Sequence, residues 1–442
     1  MSRAKNTILC VSMILALSGC SKVTDIFSSD DETRLEGKRI SVLELQQSLK
    51  PDSNNRQLIA PDPWKSAYWP QAGGYPNHSM QNLALSKDLN RVWKTGIGSG
   101  GSGALPLTAQ PVIAEGRIYT LDTDFSLRAT DAQSGKLLWK TDIENEEEDD
   151  SVISGGIGYA NNMLFITNGY NELLKVKAAD GSIVWRKPLP AASRAAPTVL
   201  EGRIYVTTLD NRLVALSEET GDNLWTYVGI AETAGLLGAA SPAANTSIVV
   251  AVFSSGEITA LRPENGSVAW SDNMTSTRGY GGGLESLSDI RALPVLDHNL
   301  VITLGFGGKL IAFDETTGTR VWQREIGGSE TPWVAGNFLF VLSNSQQLIA
   351  LNIEDGGIVW ITQLPRFENE KDRSGPITWK APVMGSGRLI LAGTDGQKIE
   401  VNAADGKSVK SWKDGKTPAV PPIIASNTLF VLSVDGTLAA YR

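Results

Sequence analysis

From residue 89 onward the chain reads as short runs of alternating apolar and polar positions, separated by clusters of Gly, Asn, Asp and Ser. That period-two pattern is the signature of half-buried β-strands. One unit is Ala196-Pro197-Thr198-Val199, Gly202-Arg203-Ile204-Tyr205-Val206, Leu213-Val214-Ala215-Leu216 and Thr220-Gly221-Asp222-Asn223-Leu224-Trp225. β-Branched and aromatic residues dominate each piece and suit a pleated surface. Asp210-Asn211 and Thr220-Gly221 fall at hairpin tips, where a positive φ is needed. The pattern therefore predicts a four-stranded antiparallel meander.

The unit repeats. Its closing Trp recurs at Trp139, Trp185, Trp225, Trp270, Trp322, Trp360 and Trp412, about 45 residues apart on average. An opening Pro recurs at Pro111, Pro197, Pro242, Pro294, Pro332, Pro382 and Pro421. Four strands in that span is the period of a propeller blade. Seven units are complete, and the stretch from Pro421 to Arg442 supplies three further strands without a closing Trp. Upstream, Leu89-Asn90-Arg91-Val92-Trp93 is an orphan strand carrying the missing Trp. Pairing it with the C-terminal three joins the chain ends and removes two open edges. The expected fold is all-β: an eight-bladed β-propeller of four-stranded antiparallel blades over residues 88–442, its last blade closed by an N-terminal strand. The eight Trp, Trp93 included, read as interblade packing, each burying on the order of 200 Å².

The N-terminus carries a different pattern. Arg3 and Lys5 precede an eleven-residue apolar stretch, Thr7 to Leu17. A bilayer span needs about 20 residues, so residues 1–19 read as a signal peptide. Leu17-Ser18-Gly19-Cys20 looks like a bacterial lipobox, with Cys20 the lipidated first residue of the mature chain. Residues 20–60 are polar and read as a flexible tether of roughly 35 Å r.m.s. span, and 61–87 as a lead-in segment. Several lipid chains on one residue hold a protein firmly at a membrane, and Ser21 after the cysteine suggests the outer membrane by resemblance to enterobacterial lipoproteins.

Charge and composition narrow the chemistry. The formal net charge is −8, and loss of Arg3 and Lys5 makes the mature chain more acidic still. Without a basic stretch, nucleic-acid binding is disfavoured. Cys10 leaves with the signal and Cys20 carries lipid, which excludes cysteine zinc sites, disulfides and thiol catalysis. His78 and His298 are the two histidines, so no catalytic residue, metal site or cofactor is assigned. Gly96-Ile97-Gly98-Ser99-Gly100-Gly101-Ser102-Gly103 lacks the Gly-Lys-Ser/Thr of a phosphate loop and reads as a flexible rim loop, as does Gly281-Gly282-Gly283. Glu144-Asn145-Glu146-Glu147-Glu148-Asp149-Asp150 is an acidic run between the first two blades; it reads as a solvated loop that can attract a basic partner or hold a cation loosely.

The repeat, well copied in Ile311-Ala312-Phe313-Asp314-Glu315-Thr316-Thr317-Gly318-Thr319-Arg320-Val321-Trp322, resembles the quinoprotein-type propeller repeat. With the lipobox, the tether and eight blades, the chain resembles the BamB family, lipoprotein propellers of the outer-membrane β-barrel assembly machinery. Trp69-Pro70-Gln71-Ala72-Gly73-Gly74 and Asn82-Leu83-Ala84-Leu85 look like its alphaproteobacterial version. The resemblance implies a non-enzymatic scaffold on the periplasmic face of the outer membrane. Its implied partners are the periplasmic domains of the barrel-inserting subunit and unfolded outer-membrane proteins. The family's partner motifs map to two loops. Leu236 and Gly238 match a Leu-x-Leu-Arg-Gly motif whose Arg is replaced by Leu237. Leu287, Ser288 and Asp289 match Leu-Ser-Asp-x-Asp, with Arg291 in place of the second acid. An apolar pair flanked by Asp and Arg suits an interface core and rim. Two other functions compete: a quinone-dependent dehydrogenase, and a glycan- or peptidoglycan-binding propeller.

Overall fold

The computed structural model describes residues 49–52, 58–145, 152–231, 239–274 and 289–442. Their strands form eight four-stranded antiparallel sheets and one two-stranded hairpin, with no helix among the described residues. Blade 1 consists of Val112–Ala114, Arg117–Leu121, Ser126–Asp131 and Leu137–Asp142. Blades 2 to 7 repeat the meander over residues 157–188, 198–228, 243–273, 295–324, 333–363 and 383–413. First strands of neighbouring blades lie against one another and are almost wholly buried, so they surround the axis. Fourth strands such as Leu137–Asp142 expose alternate residues and form the outer wall. The extra hairpin, Phe367–Asn369 with Ser374–Pro376, lies between blades 6 and 7.

The eighth blade is composite. Ile423–Ala425, Thr428–Leu432 and Thr437–Tyr441 are completed by Arg91–Gly96, with Trp93 opposite Ala440 and Gly96 opposite Thr437. Beyond the strand, Asn90 and Arg442 exchange both backbone hydrogen bonds, at 3.1 and 2.9 Å. The fold is thus an eight-bladed propeller whose ring is closed by the two ends of the domain, as the Trp repeat predicts.

Seven seams share one device. The indole N–H of each closing Trp donates to a backbone carbonyl of the next blade, from Trp93 to Ala132 at 3.3 Å through Trp322 to Ile353 at 2.7 Å and Trp360 to Ala403 at 3.0 Å. The ring lies over the turn before that blade's last strand. At Gly266, φ is +69° and a Cβ would come within 2.6 Å of the Trp225 ring, so both the backbone and the contact require glycine. The seam from blade 7 to blade 8 differs, because blade 8 takes its fourth strand from Arg91–Gly96 and no turn joins it to the third. Trp412 Nε1 is buried and has no partner among the described residues. In its place Lys398, wholly buried, pairs with Asp414 and donates to Gly396 O and Lys416 O at 3.2 Å. Tyr441 donates its hydroxyl to the other Asp414 oxygen. Burial pulls the Lys398 ammonium pKa down against the opposing pull of Asp414, so this ion pair is tightly packed rather than solvated.

A meander sorts its connections between two faces. Turns joining strands 1–2 and 3–4 open on one, the turn face; turns joining strands 2–3 and the blade-to-blade links open on the other, the connection face. The lead-in segment lies on the turn face and circles the axis once. Ser66 O accepts from Ser426 N of blade 8 (2.7 Å), Trp69 exchanges two bonds with Ile113 of blade 1, and Pro70 O accepts from Tyr159 N of blade 2. The Gln71 side-chain amide takes both backbone groups of Val199 in blade 3, at 2.9 and 3.0 Å. Pro76 O and Asn77 O then accept from Ala244 N of blade 4 and Leu296 N of blade 5. Gln81 holds Gly336 N of blade 6 at 2.8 Å, and Leu83 bridges to Gly385 of blade 7. Trp64 pairs with Leu83 and closes the circle.

The reason is one of strand edges. Each first strand turns an unpaired edge toward the axis, and a buried unpaired backbone group is costly. The belt satisfies these edges one blade at a time, which is why it forms isolated bridges rather than a strand. Trp69, Met80 and Leu83 fill the mouth, each 1 % exposed, with Trp69 stacked on Trp333 at 6.2 Å between ring centres. His78 is buried beside them and its Nδ1–H donates to Pro294 O at 2.7 Å, leaving Nε2 as an unpartnered acceptor. Burial lowers its pKa to about 4, outweighing the Pro294 hydrogen bond. Further upstream, Asp52 lies on the outer strand of blade 6: its N–H donates to Ile358 O at 2.9 Å and its carboxylate pairs with Arg324 at 2.9 Å.

Candidate interaction faces

The two loops singled out in the sequence are the links from blade 3 to blade 4 (residues 229–242) and from blade 4 to blade 5 (residues 274–294). They flank one blade and leave the same face, the one opposite the belt. Leu236, Leu237, Gly238, Leu287 and Ser288 lie outside the described residues, as do Cys20, 146–150 and Gly281 to Gly283. Of the rest, Asp289 is 5 % exposed and its carbonyl accepts from Phe306 N at 3.2 Å. Ile290 is buried beside it, whereas Arg291 is exposed.

The base of the first link is built by buried polar groups. Glu257, 6 % exposed, accepts from Ile230 N at 2.8 Å and from the Tyr227 hydroxyl at 2.5 Å. Asn211, held at φ +59°, donates to Ile230 O at 2.7 Å. These bonds present Val228 and Ile230 outward, 61 % and 58 % exposed. The second link is fixed at its far end, where Leu293 N donates to Thr331 Oγ1 at 3.1 Å. The exposed aliphatic pair was not singled out in the sequence; its signal is Val228-Gly229-Ile230, apolar residues continuing past the end of an outer strand. The face around blade 4 therefore combines exposed aliphatics on one link with a guanidinium on the next.

The glycine-rich stretch after the N-terminal strand is a packed turn on this same face. Gly101 N donates to Val434 O at 2.6 Å and Ser99 N to an Asp122 carboxylate oxygen at 2.9 Å. A Cβ on Gly98 would strike that carboxylate at 1.9 Å. These glycines permit close approach between blades 8 and 1. Among the described residues no group of three His, Cys, Asp or Glu side chains is placed to hold a metal, and no helix is long and apolar enough to cross a membrane.

Fold and faces together define a closed eight-bladed propeller of quinoprotein-type repeats with one mouth filled by its own chain. The family model described as outer membrane protein assembly factor BamB matches residues 123–362, more than half of the sequence, and the chain belongs to that family. The outer membrane protein assembly factor BamB of Yersinia pestis is 25 % identical over 357 residues, covering 79 % of this chain and 88 % of that protein. The crystal structure of BamB from Moraxella catarrhalis superposes with a TM-score of 0.68 at 18 % identity, over 80 % of this chain and 99 % of that one. Quinohemoprotein alcohol dehydrogenase from Comamonas testosteroni shares the fold at a TM-score of 0.66 and 12 % identity, over 85 % of this chain and 80 % of that one.

Proposed function

We propose that the chain is a non-enzymatic scaffold in outer-membrane protein assembly. In this reading it is held at the periplasmic face of the outer membrane through lipid on Cys20. It binds the periplasmic domains of the barrel-inserting subunit and aids the insertion of unfolded outer-membrane proteins. The carrying observation is that the links flanking blade 4 leave the same face, with Val228 and Ile230 exposed at the base of the first and Arg291 exposed toward the end of the second. Exposed aliphatic side chains and an Arg on one face are residue types that anchor interfaces. Leu236, Leu237, Gly238, Leu287 and Ser288 extend that patch in sequence; buried Asp289 supports the second link from beneath.

The shared fold of the alcohol dehydrogenase favours a second reading, a quinone enzyme. Against it, Trp69, Met80 and Leu83 fill one mouth of the axis where such an enzyme needs a funnel. Quinone absorbance in the purified protein would support that reading. The scaffold reading is tested by detergent pull-down from native membranes with the tagged mature lipoprotein. The barrel-inserting subunit is expected in the wild-type eluate and absent with Leu236→Asp/Arg291→Glu. Its absence from the wild-type eluate would overturn the function, and unchanged recovery with the double variant would overturn the site.

A further inference from the structure

The repeat departs from its own pattern at the seam between blades 5 and 6. Blades 1 to 7 enter their last strand through a turn glycine and one further residue. That further residue carries a side chain in blades 1 to 5 and 7, Lys136, Asp222 and Thr319 among them, but in blade 6 it is a second glycine, Gly357. The next residue, Ile358, is buried, whereas its counterparts Leu137, Ile183 and Val268 on other outer strands are exposed. Blade 5 departs on the other side of the same seam. Thr141 and Thr362 each use a hydroxyl to bond the turn glycine of the next blade, at 2.9 and 2.6 Å. Blade 5 has Arg324 at that position; its Nε makes the same bond to Gly356 O at 2.7 Å, and the far end of its guanidinium is left for another partner.

That partner is Asp52. Its N–H donates to Ile358 O at 2.9 Å, and its Oδ2 accepts from Ile358 N at 3.0 Å and from Arg324 at 2.9 Å. One residue thus takes up both backbone groups of Ile358, on a strand whose edge is otherwise open. A surface ion pair alone holds weakly; here it is one of three bonds. Gly357 clears the way, since a Cβ there would stand 3.6 Å from Asp52 Oδ2, and the space a longer side chain needs is the space the carboxylate uses. The chain also lies against blade 6 nearer the axis. Pro61 O accepts from Asn82 of the belt at 2.6 Å, and Pro61 lies beside Gly336 in the first turn of the blade.

We infer that Asp52 is a latch that fastens the N-terminal tether to the outer wall at the seam of blades 5 and 6. The tether then leaves the ring at its rim and not at the mouth of the turn face. A chain leaving from the belt would start near the axis, where opposite walls are equivalent. A latched chain starts beside Arg324. With lipid on Cys20, as proposed above, residues 21–51 separate latch from membrane, and an unstructured chain of that length spans roughly 30 Å r.m.s.. Blades 5 and 6 are thereby held on the membrane side of the ring.

The test uses the mature lipoprotein in detergent, with nitroxide labels on cysteines introduced as Lys50→Cys and Leu138→Cys, the second on the wall of blade 1 across the ring. Double electron–electron resonance is expected to give one narrow distance. Asp52→Lys sets a like charge against Arg324, and Gly357→Asp installs the residue blade 3 has at this turn. Each is expected to widen the distance distribution about twofold or more. A distribution with the latch intact that is as wide as that of Asp52→Lys would overturn the inference. Single labels at Val321→Cys and Leu138→Cys, equally exposed and equivalent positions on opposite walls, then report orientation on phosphatidylcholine vesicles carrying a nickel-chelating lipid. The label at Val321 is expected to relax faster than that at Leu138, and Asp52→Lys to remove the difference. Equal relaxation with the latch intact would overturn attachment at the rim. Failure to float with the vesicles would count against lipid on Cys20, while the distances in detergent still decide the latch.

Discussion

The two faces of the ring use the same kind of strand ends in opposite ways. On the turn face, the inner strand edges and the axial mouth are covered by the chain's own belt, with Trp69, Met80 and Leu83 inside and every blade bonded in turn. On the connection face, parts of the turns and links are open to solvent, with Arg291 and, around blade 1, Asp124, Asp142 and Glu144 exposed. The belt contributes apolar burial and hydrogen bonds, and so stability. The links contribute exposed groups and, in the proposed reading, recognition. Binding residues on loops positioned by a rigid scaffold are the general arrangement. In the proposed reading, the scaffold is made rigid from the face opposite the one that binds.

This contrast predicts that substitutions on the two faces separate stability from binding. The largest effect is expected from Trp69→Ala, which removes a buried indole stacked on Trp333 and should cost about 3 to 5 kcal/mol in urea unfolding. A loss under about 1 kcal/mol would mean that the belt is an accessory. Next in size is a pH effect through His78. Its pKa is about 4 in the fold and about 6.5 when unfolded. The unfolded chain therefore binds the extra proton first, and stability falls as pH drops from about 6.5 toward 4. The loss is on the order of 3 kcal/mol, fully expressed below the folded pKa. His78→Leu should flatten that window in urea midpoints measured against pH; an unchanged slope would remove His78 as its cause. Asp414, whose pKa is lowered by Lys398, Tyr441 and Lys416 N–H bonds against a burial penalty, loses its contribution only below the ordinary Asp range. The smallest stability effect is expected on the connection face: Arg291→Glu should change unfolding free energy by no more than about 0.5 kcal/mol while weakening partner recovery.

The ring was legible in the sequence because its seams are periodic. Each closing Trp except Trp412 needs a turn beneath it that only Gly suits, so Trp225 and Gly266 report one contact at a distance of about 40 residues. The composite blade followed from counting, since Trp93 had no meander of its own. The belt was not legible. Trp69, Gln71, Asn77 and Gln81 each answer a different blade, so no period of two or of 3.6 runs through them. Its remaining signal was a density of aromatic and Gly residues between Trp64 and Tyr75. For the two links flanking blade 4, the strand count placed them between blades, but the orientations of their described residues were not legible. Asp289 and Arg291 look alike as charged rim residues, yet Asp289 is turned under the link and Arg291 outward, a difference that depends on blade 5's packing. The same holds for Asp122 and Asp124, one bound to three N–H groups and the other exposed.

The most direct test of the division between faces is site-specific photo-crosslinking in native membranes. A photoreactive amino acid is placed singly at Ile230 or Arg291 on the connection face, or at Glu354 or Asp405 on the turn face. Crosslinks to the barrel-inserting subunit are expected from Ile230 and Arg291 and not from Glu354 or Asp405. Crosslinks from the turn-face positions alone would contradict the assignment of binding to the open face.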